Sequence, residues 1–194
     1  MSPGAAAFEV GRCVVRTMLL LARRQIRQPH RNLGLVVPFA DGTSAAIYRE
    51  TTLVRAPARD PAFLAVCFRL RGLGSGTWGH ALFRAESLLN TVLFAGFPGL
   101  VSKLWLRHDE HDVYRGLYEW DGADLALHYV DALWWVLALV SVPGTIKFAI
   151  VPGVERDRVL AGPSVLDRLP EEPTGWWRPV ALRRPRDPGR GELR

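Results

Sequence analysis

Sulfur and lysine are scarce in this chain: two cysteines, Cys13 and Cys67, two methionines and two lysines stand among 194 residues. Two cysteines make neither a disulfide framework nor a zinc-ligand spacing, so the expected compartment is a reducing cytoplasm. Long apolar runs are missing too. The longest, residues 132–142 and the stretch around 92–101, fall short of the roughly 18–20 residues of a spanning helix, which argues against an integral membrane segment. No small-residue cleavage site follows the apolar residues 17–22, so no signal peptide is expected. Net positive charge is absent from the middle of the chain. The net charge is +6, but residues 1–31 carry six Arg against Glu9 (+5) and residues 178–194 six Arg against Asp187 and Glu192 (+4), leaving 6 − 5 − 4 = −3 for residues 32–177. A nucleic-acid-binding core would carry the positive charge itself, so no nucleic-acid partner is expected.

What is present is ordinary for a globular chain with a core: 48% apolar and 23% charged residues. Residues 7–28 have helical periodicity through Val10, Val14, Met18, Leu21 and Ile26, with arginines opposite. That pattern suits a helix packed on its own domain with a solvated basic face, or a helix for a membrane surface or partner. Residues 33–39 and 44–54 flank Asp41-Gly42, the composition of a tight hairpin. Pro38 cannot donate to a ladder, which predicts an edge position.

From about residue 61 to 153 the order is strand, helix, strand, strand, helix, strand. Residues 63–70 are the first strand, and a helix from 80 to about 95 ends at Gly96 and Pro98. Residues 101–106 and 113–120 are strands separated by six residues, too few for a parallel crossover, so they form an antiparallel hairpin. Asp121 is placed to cap a second helix with Leu125, Tyr129, Leu133, Val136 and Val140 on its buried side. Residues 145–151 are the last strand. The fold class is therefore α+β, a ferredoxin-like βαββαβ unit. Residues 1–60 form a helix-plus-hairpin extension, 61–153 the unit itself, and 154–194 an irregular tail rich in Trp, Arg and Pro, anchored through Trp176-Trp177. Helices on one face of such a sheet would leave Trp, Tyr and Leu exposed on the other, which predicts a homodimer through the sheets.

The run Phe97-Pro98-Gly99-Leu100-Val101-Ser102-Lys103-Leu104-Trp105, a charged turn, then Arg115-Gly116-Leu117-Tyr118-Glu119-Trp120 before a helix opening at Asp121, resembles the mono-oxygenase family of dimeric α+β barrels, ferredoxin-like and similar to the antibiotic-biosynthesis monooxygenases. The resemblance covers residues 61–153. It implies a homodimer whose sheets close a barrel, a pocket between sheet and helices, and a small hydrophobic ring-containing substrate. It implies oxygenation with no cofactor, by deprotonating a phenol or enol and letting dioxygen attack the carbanion. Other members are cyclases, decarboxylases or haem-degrading enzymes.

Several motifs are weighed against plainer uses. Gly74-Ser75-Gly76-Thr77-Trp78-Gly79 is a literal G-x-G-x-x-G between a strand and a helix, but a hairpin follows it and no acidic residue stands about twenty positions on, so a loop is preferred to a dinucleotide site. Arg115-Gly116 evokes an RNA-recognition strand, but Leu117 and Glu119 occupy the stacking positions. The turn His108-Asp109-Glu110-His111-Asp112 collects potential ligands without a helix to align them, so no metal site is assigned. His128 lies between Asp124 and Asp131 in helical spacing. It reads as an ion-paired surface residue, with a haem ligand as the alternative.

The two lysines fall inside strands. Lys can lose its proton on burial and Arg cannot, yet in a 4-1-3-2 sheet both would occupy edges, where Lys discourages wrong pairing. Lys103 and Tyr118 are the candidate catalytic residues, and Trp105, Tyr114, Arg115, Arg69 and Trp120 the candidate substrate contacts. Strand register decides the pocket. If Lys103 shares a face with Gly116 and Tyr118, the pocket is aromatic and Gly116 leaves room for a ligand, the preferred register. If it shares a face with Arg115 and Glu119, the pocket is ionic. A non-catalytic ligand-binding or assembly protein with the same fold is the competing function.

Overall fold

The structure, a computed structural model, describes residues 1–71, 94–167 and 175–184. The Gly74–Gly79 loop, most of the helix expected over 80–95 and the last ten residues lie outside these. Helix α1 spans Pro3–Ala22, with the Ser2 hydroxyl accepting from the Ala5 amide. Strands β1 (Ile26–Arg27), β2 (Val36–Pro38) and β3 (Ser44–Leu53) follow, then β4 (Pro61–Arg69), β5 (Leu100–Leu106) and β6 (Val113–Asp121). Helix α2 is Ala123–Val140, β7 is Lys147–Pro152, α3 is Arg156–Ala161, and Pro163–Leu166 closes the run as a 3-10 turn.

All pairings are antiparallel and the sheet order is β1-β3-β5-β6-β4-β7, with β2 beside β3. Its β7-β4-β6-β5 part is the 4-1-3-2 order of a ferredoxin-like unit. The hairpin extension does not stand apart from it. The ten-residue β3 pairs with the outer side of β5, so β5 is an interior strand. Lys147 on β7 is exposed at an edge as expected, whereas the edge position expected for Lys103 does not hold.

One face of the sheet packs under α2 and α1 through Leu64, Trp105, Tyr118, Trp120, Tyr129 and Leu133. Alternation forces this, because Lys103, Trp105, Tyr118 and Trp120 all project from the same side of β5 and β6. Gly96 is needed where α1 crosses: a Cβ there would stand 2.1 Å from the Cys13 carbonyl oxygen.

The opposite face is also covered by the chain itself. Phe63, Leu104 and Leu117 are buried there with Phe39 of the hairpin turn, Val159 of α3 and the Trp176-Trp177 pair. The tail anchor expected of that pair is present. The bare sheet face that predicted pairing through the sheets is not, because β2, α3 and the tail occupy it.

Asp121 does not cap α2 either; Gly122 holds the N-cap position at φ 119°. The Asp121 carboxylate instead accepts from the backbone amides of Arg59 (2.7 Å) and Asp60 (3.1 Å) and pairs with Arg55. It pins the link between β3 and β4 to the end of β6.

Candidate functional site

Lys103 is directly opposite Tyr118 on β6 and Thr51 on β3, and Trp105 is opposite Gly116 and Arg49. This is the aromatic register. Lys103 is buried, and its Nζ lies 3.2 Å from the ring centre of Trp105, 4.5 Å from that of Phe94 and 4.7 Å from that of Tyr118. No carboxylate pairs with it among the described residues.

Two effects oppose each other at this amine. Aromatic faces favour the ammonium by about 0.5–2 kcal/mol, while taking an unpaired charge out of water costs several kcal/mol. Burial wins, helped by the nearby Arg49 guanidinium, and holds the Lys103 amine well below its ordinary lysine value. Arg49 also lies over the Trp105 ring, 5.4 Å from its centre.

The cage continues into a tyrosine pair. The Tyr118 hydroxyl stands 3.1 Å from that of Tyr129 on α2, and both rings are buried. Burial pushes both phenols up, so each remains a neutral hydroxyl. Trp120 packs on Tyr129 with ring centres 4.9 Å apart, and Phe97 closes on the same ring edge-on at 5.2 Å. Trp105 donates its indole N–H to the Thr51 hydroxyl at 3.2 Å.

The register is the preferred one, but Tyr118 is packed under the helix layer rather than lining an open cavity. The space expected beside Gly116 is filled by the Tyr118 ring. A Cβ on Gly116 would meet Tyr118 Cε2 at 2.7 Å.

Of the candidate residues, Lys103, Trp105, Tyr118 and Trp120 come together on this face. Tyr114 shares the face but sits at the far end of β6, stacked on Phe68 and edge-on to His108. Arg69, at the end of β4, is exposed.

Arg115 is on the other face, buried, and fully engaged. It pairs with Asp109 and Asp41, donates to the Thr43 hydroxyl (2.9 Å) and the Trp176 carbonyl (3.1 Å), and lies over the Phe39 ring. It ties the 107–112 turn, the β2–β3 turn and the tail together, so a substrate contact is not its place. Burial alone would raise Asp109, but the amides of Val113 and His111 and the Arg115 guanidinium hold it below the usual carboxylate range. Its turn is thus a structural one, with Glu110 bonded to Ser44. Among the described residues no group of three His, Cys, Asp or Glu side chains is placed to hold a metal. His128 is half-exposed beside Phe97, and its neighbour is Glu9 of α1 (3.5 Å) rather than Asp124 or Asp131.

Sequence reasoning missed Arg49, Thr51 and Phe94 as parts of this site. The first two arrive with β3, and no local pattern announces which strand edge a distant hairpin will join.

No protein-family model matches the chain, and no curated protein matches it. Among solved structures it is similar to an uncharacterised ferredoxin-fold protein related to antibiotic biosynthesis monooxygenases from Listeria monocytogenes (12% identity, TM-score 0.42, covering 59% of this chain and 66% of that one). It is also similar to a monooxygenase-like protein from Listeria innocua (11%, 0.38, 56% and 63%). A third is a major regulator of staphylococcal pathogenesis (11%, 0.36, 64% and 94%). The chain thus spans under two thirds of the length of the two Listeria proteins. The ferredoxin-like assignment stands on the chain's own strand order.

Proposed function

We propose that this chain is a cofactor-independent, monooxygenase-like enzyme of secondary metabolism, acting on a hydrophobic ring-bearing molecule with Lys103 as its base. One observation carries the proposal: a lysine is buried among three aromatic rings with no carboxylate beside it. An apolar side chain of similar size would stabilise the same core more, so the amine is retained at a cost to the fold. A neutral amine is what a base near neutral pH requires.

In the proposed chemistry the Lys103 amine takes a proton from an acidic phenol, enol or activated C–H of the substrate. The Tyr118 hydroxyl, steadied by Tyr129, donates to the oxyanion that develops. The carbanion passes its electrons to dioxygen. A ring CH2 becomes C=O and the second oxygen atom leaves as water, so CH2 and O2 balance against C=O and H2O. Trp105, whose ring lies against the amine, is the apolar contact for the substrate ring, and Trp120 backs Tyr129. A cytoplasmic setting suits the buried thiols of Cys13 and Cys67, with burial pushing that of Cys67 up to about 11.

Oxygen consumption over a panel of polycyclic phenols and enols tests this. Lys103→Met is expected to lower turnover on the order of 10²-fold or more and Tyr118→Phe by less, with circular dichroism unchanged. Turnover that survives Lys103→Met would remove the base, and a panel that consumes no oxygen would favour the non-catalytic assembly reading. What speaks for that second reading is the set of large apolar side chains exposed on α1 and α2.

A further inference from the structure

Helix α1 buries a narrow stripe of small side chains, Ala6, Cys13 and Thr17, against the body. Its large apolar residues point the other way: Phe8 is 66% exposed and Val15 64%, with Leu19 beside them. Helix α2 repeats the pattern. It packs Ala126, Tyr129 and Leu133 on the sheet yet exposes Leu127, Trp134, Trp135 and Leu139. By length and composition α2 is the one helix among the described residues apolar enough to cross a membrane, but its buried face is committed to the sheet. Large apolar side chains exposed together on two adjacent helices mark a surface that another molecule covers.

Charge decides which occupant. The exposed side of α1 is basic on balance, with Arg16 and with Arg12, which also pairs with Glu9 (3.2 Å), and that of α2 is acidic, with Asp124 and Asp131. An anionic membrane or acidic partner would meet repulsion from α2. A second copy of this chain would meet both signs in complementary positions. Trp135 donates to the Met1 carbonyl (3.3 Å) and His128 stands beside Glu9, so α1 and α2 run antiparallel side by side. That places Arg12 and Arg16 level with the Asp124 end of α2, and Phe8 level with Leu127 and Asp131. A two-fold axis parallel to the helices keeps every residue at its own level while laying α1 of one copy on α2 of the other. Leu127 of the second copy then comes level with the groove of 530 Å³ lined by Phe8, Arg12, Val15, Phe97 and Pro98.

We propose that the protein is a homodimer formed by its helix layers, α1 of each copy on α2 of the other, with Arg12 and Arg16 facing Asp124 across a Phe8–Leu127 contact.

Light scattering of the full chain at micromolar concentrations is expected to give twice the 21.6 kDa of one chain. Each of these side chains is exposed in one copy, so substitutions there leave the fold intact, checked by circular dichroism. Val15→Asp should weaken the dimer on the order of tenfold or more. Arg16→Asp should weaken it as well, and Arg16→Asp with Asp124→Arg should recover it, a rescue that loss of apolar contact would not produce. A monomer, or a dimer indifferent to Val15→Asp and to the charge exchange, overturns the proposal. So does a monomer that sediments with vesicles of anionic phosphatidylglycerol but not with neutral phosphatidylcholine, which would give the layer to a lipid surface.

Discussion

At Lys103, protonation and folding compete. The folded amine titrates well below its ordinary value because burial outweighs the aromatic faces, with Arg49 adding to it. Between that depressed value and about 10.4 the unfolded chain holds one proton more than the folded one. The favourable contribution is therefore complete above the unfolded value and declines as pH falls towards the folded one. Wild-type stability is expected to rise with pH through this window relative to Lys103→Met, which lacks the rise. Urea titrations of both proteins read the difference, in which the raised thiols and phenols cancel. Selective nitrogen labelling is unusually clean here, because two lysines give two side-chain signals. A Lys103 signal titrating at the ordinary lysine value would remove the base from the proposed mechanism. Arg115 makes the opposite case, a charge whose partners are all in place. Arg115→Met leaves Asp109 buried without its guanidinium and is expected to cost about 3–5 kcal/mol in urea unfolding. The sequence marked both residues as chemically interesting and could not separate them. Alternation tells which face a side chain leaves from, and only the distant residues covering that face tell whether it meets a cage or a clamp.

Strand positions were legible because local signals agreed. The βαββαβ strands were expected within two residues of where they lie, and the aromatic register was preferred on the family resemblance, against a charge-burial argument that favoured the ionic one. What escaped was pairing at long range. The hairpin signal at Asp41-Gly42 gave β2 and β3 correctly, but nothing in it says that β3 joins β5 and turns Lys103 from an edge residue into an interior one. Asp121 escaped for a related reason. A carboxylate just before a helix is a normal cap, yet here the amides of Arg59 and Asp60 claim it. Gly116 also has a different purpose from the one expected. Its missing side chain houses the Tyr118 ring, 2.7 Å from the position of an added Cβ. Because that ring is held by Tyr129, it cannot yield freely. Gly116→Ala is expected to cost about 1–3 kcal/mol as overpacking, seen as a lower Tm with altered near-ultraviolet circular dichroism. An unchanged Tm would mean that the space beside Gly116 is open after all, as a ligand pocket would require.

At the scale of the molecule, the two faces of the sheet exchange the roles that composition suggested. Counting strands and helices of the βαββαβ unit alone leaves one face bare, and dimerisation through it follows. The chain instead folds other parts of itself onto that face: β2, α3 and the tail, the last strapped by backbone bonds between Val36 and Arg183 and between Pro38 and Val180. Arg115 fixes the strap from beneath through the Trp176 carbonyl. Tail composition, rich in Pro and Arg, hid this because its apolar residues, Trp176 and Trp177 among them, follow no regular period. Trp177 is 5% exposed among Phe39, Leu104, Leu117 and Val159. Removing it leaves a cavity on the sheet, a loss of about 3–5 kcal/mol for a buried Trp. At roughly 2–4 °C per kcal/mol for a chain of this size, Trp177→Ala is expected to lower the Tm by about 6–20 °C and to raise binding of a hydrophobic dye. Lys103 lies on the opposite face, so its titration should not move. A Trp177→Ala protein with wild-type Tm and no dye binding would mean that the tail is not what covers the sheet, and pairing through the sheets would return as the way that face is buried.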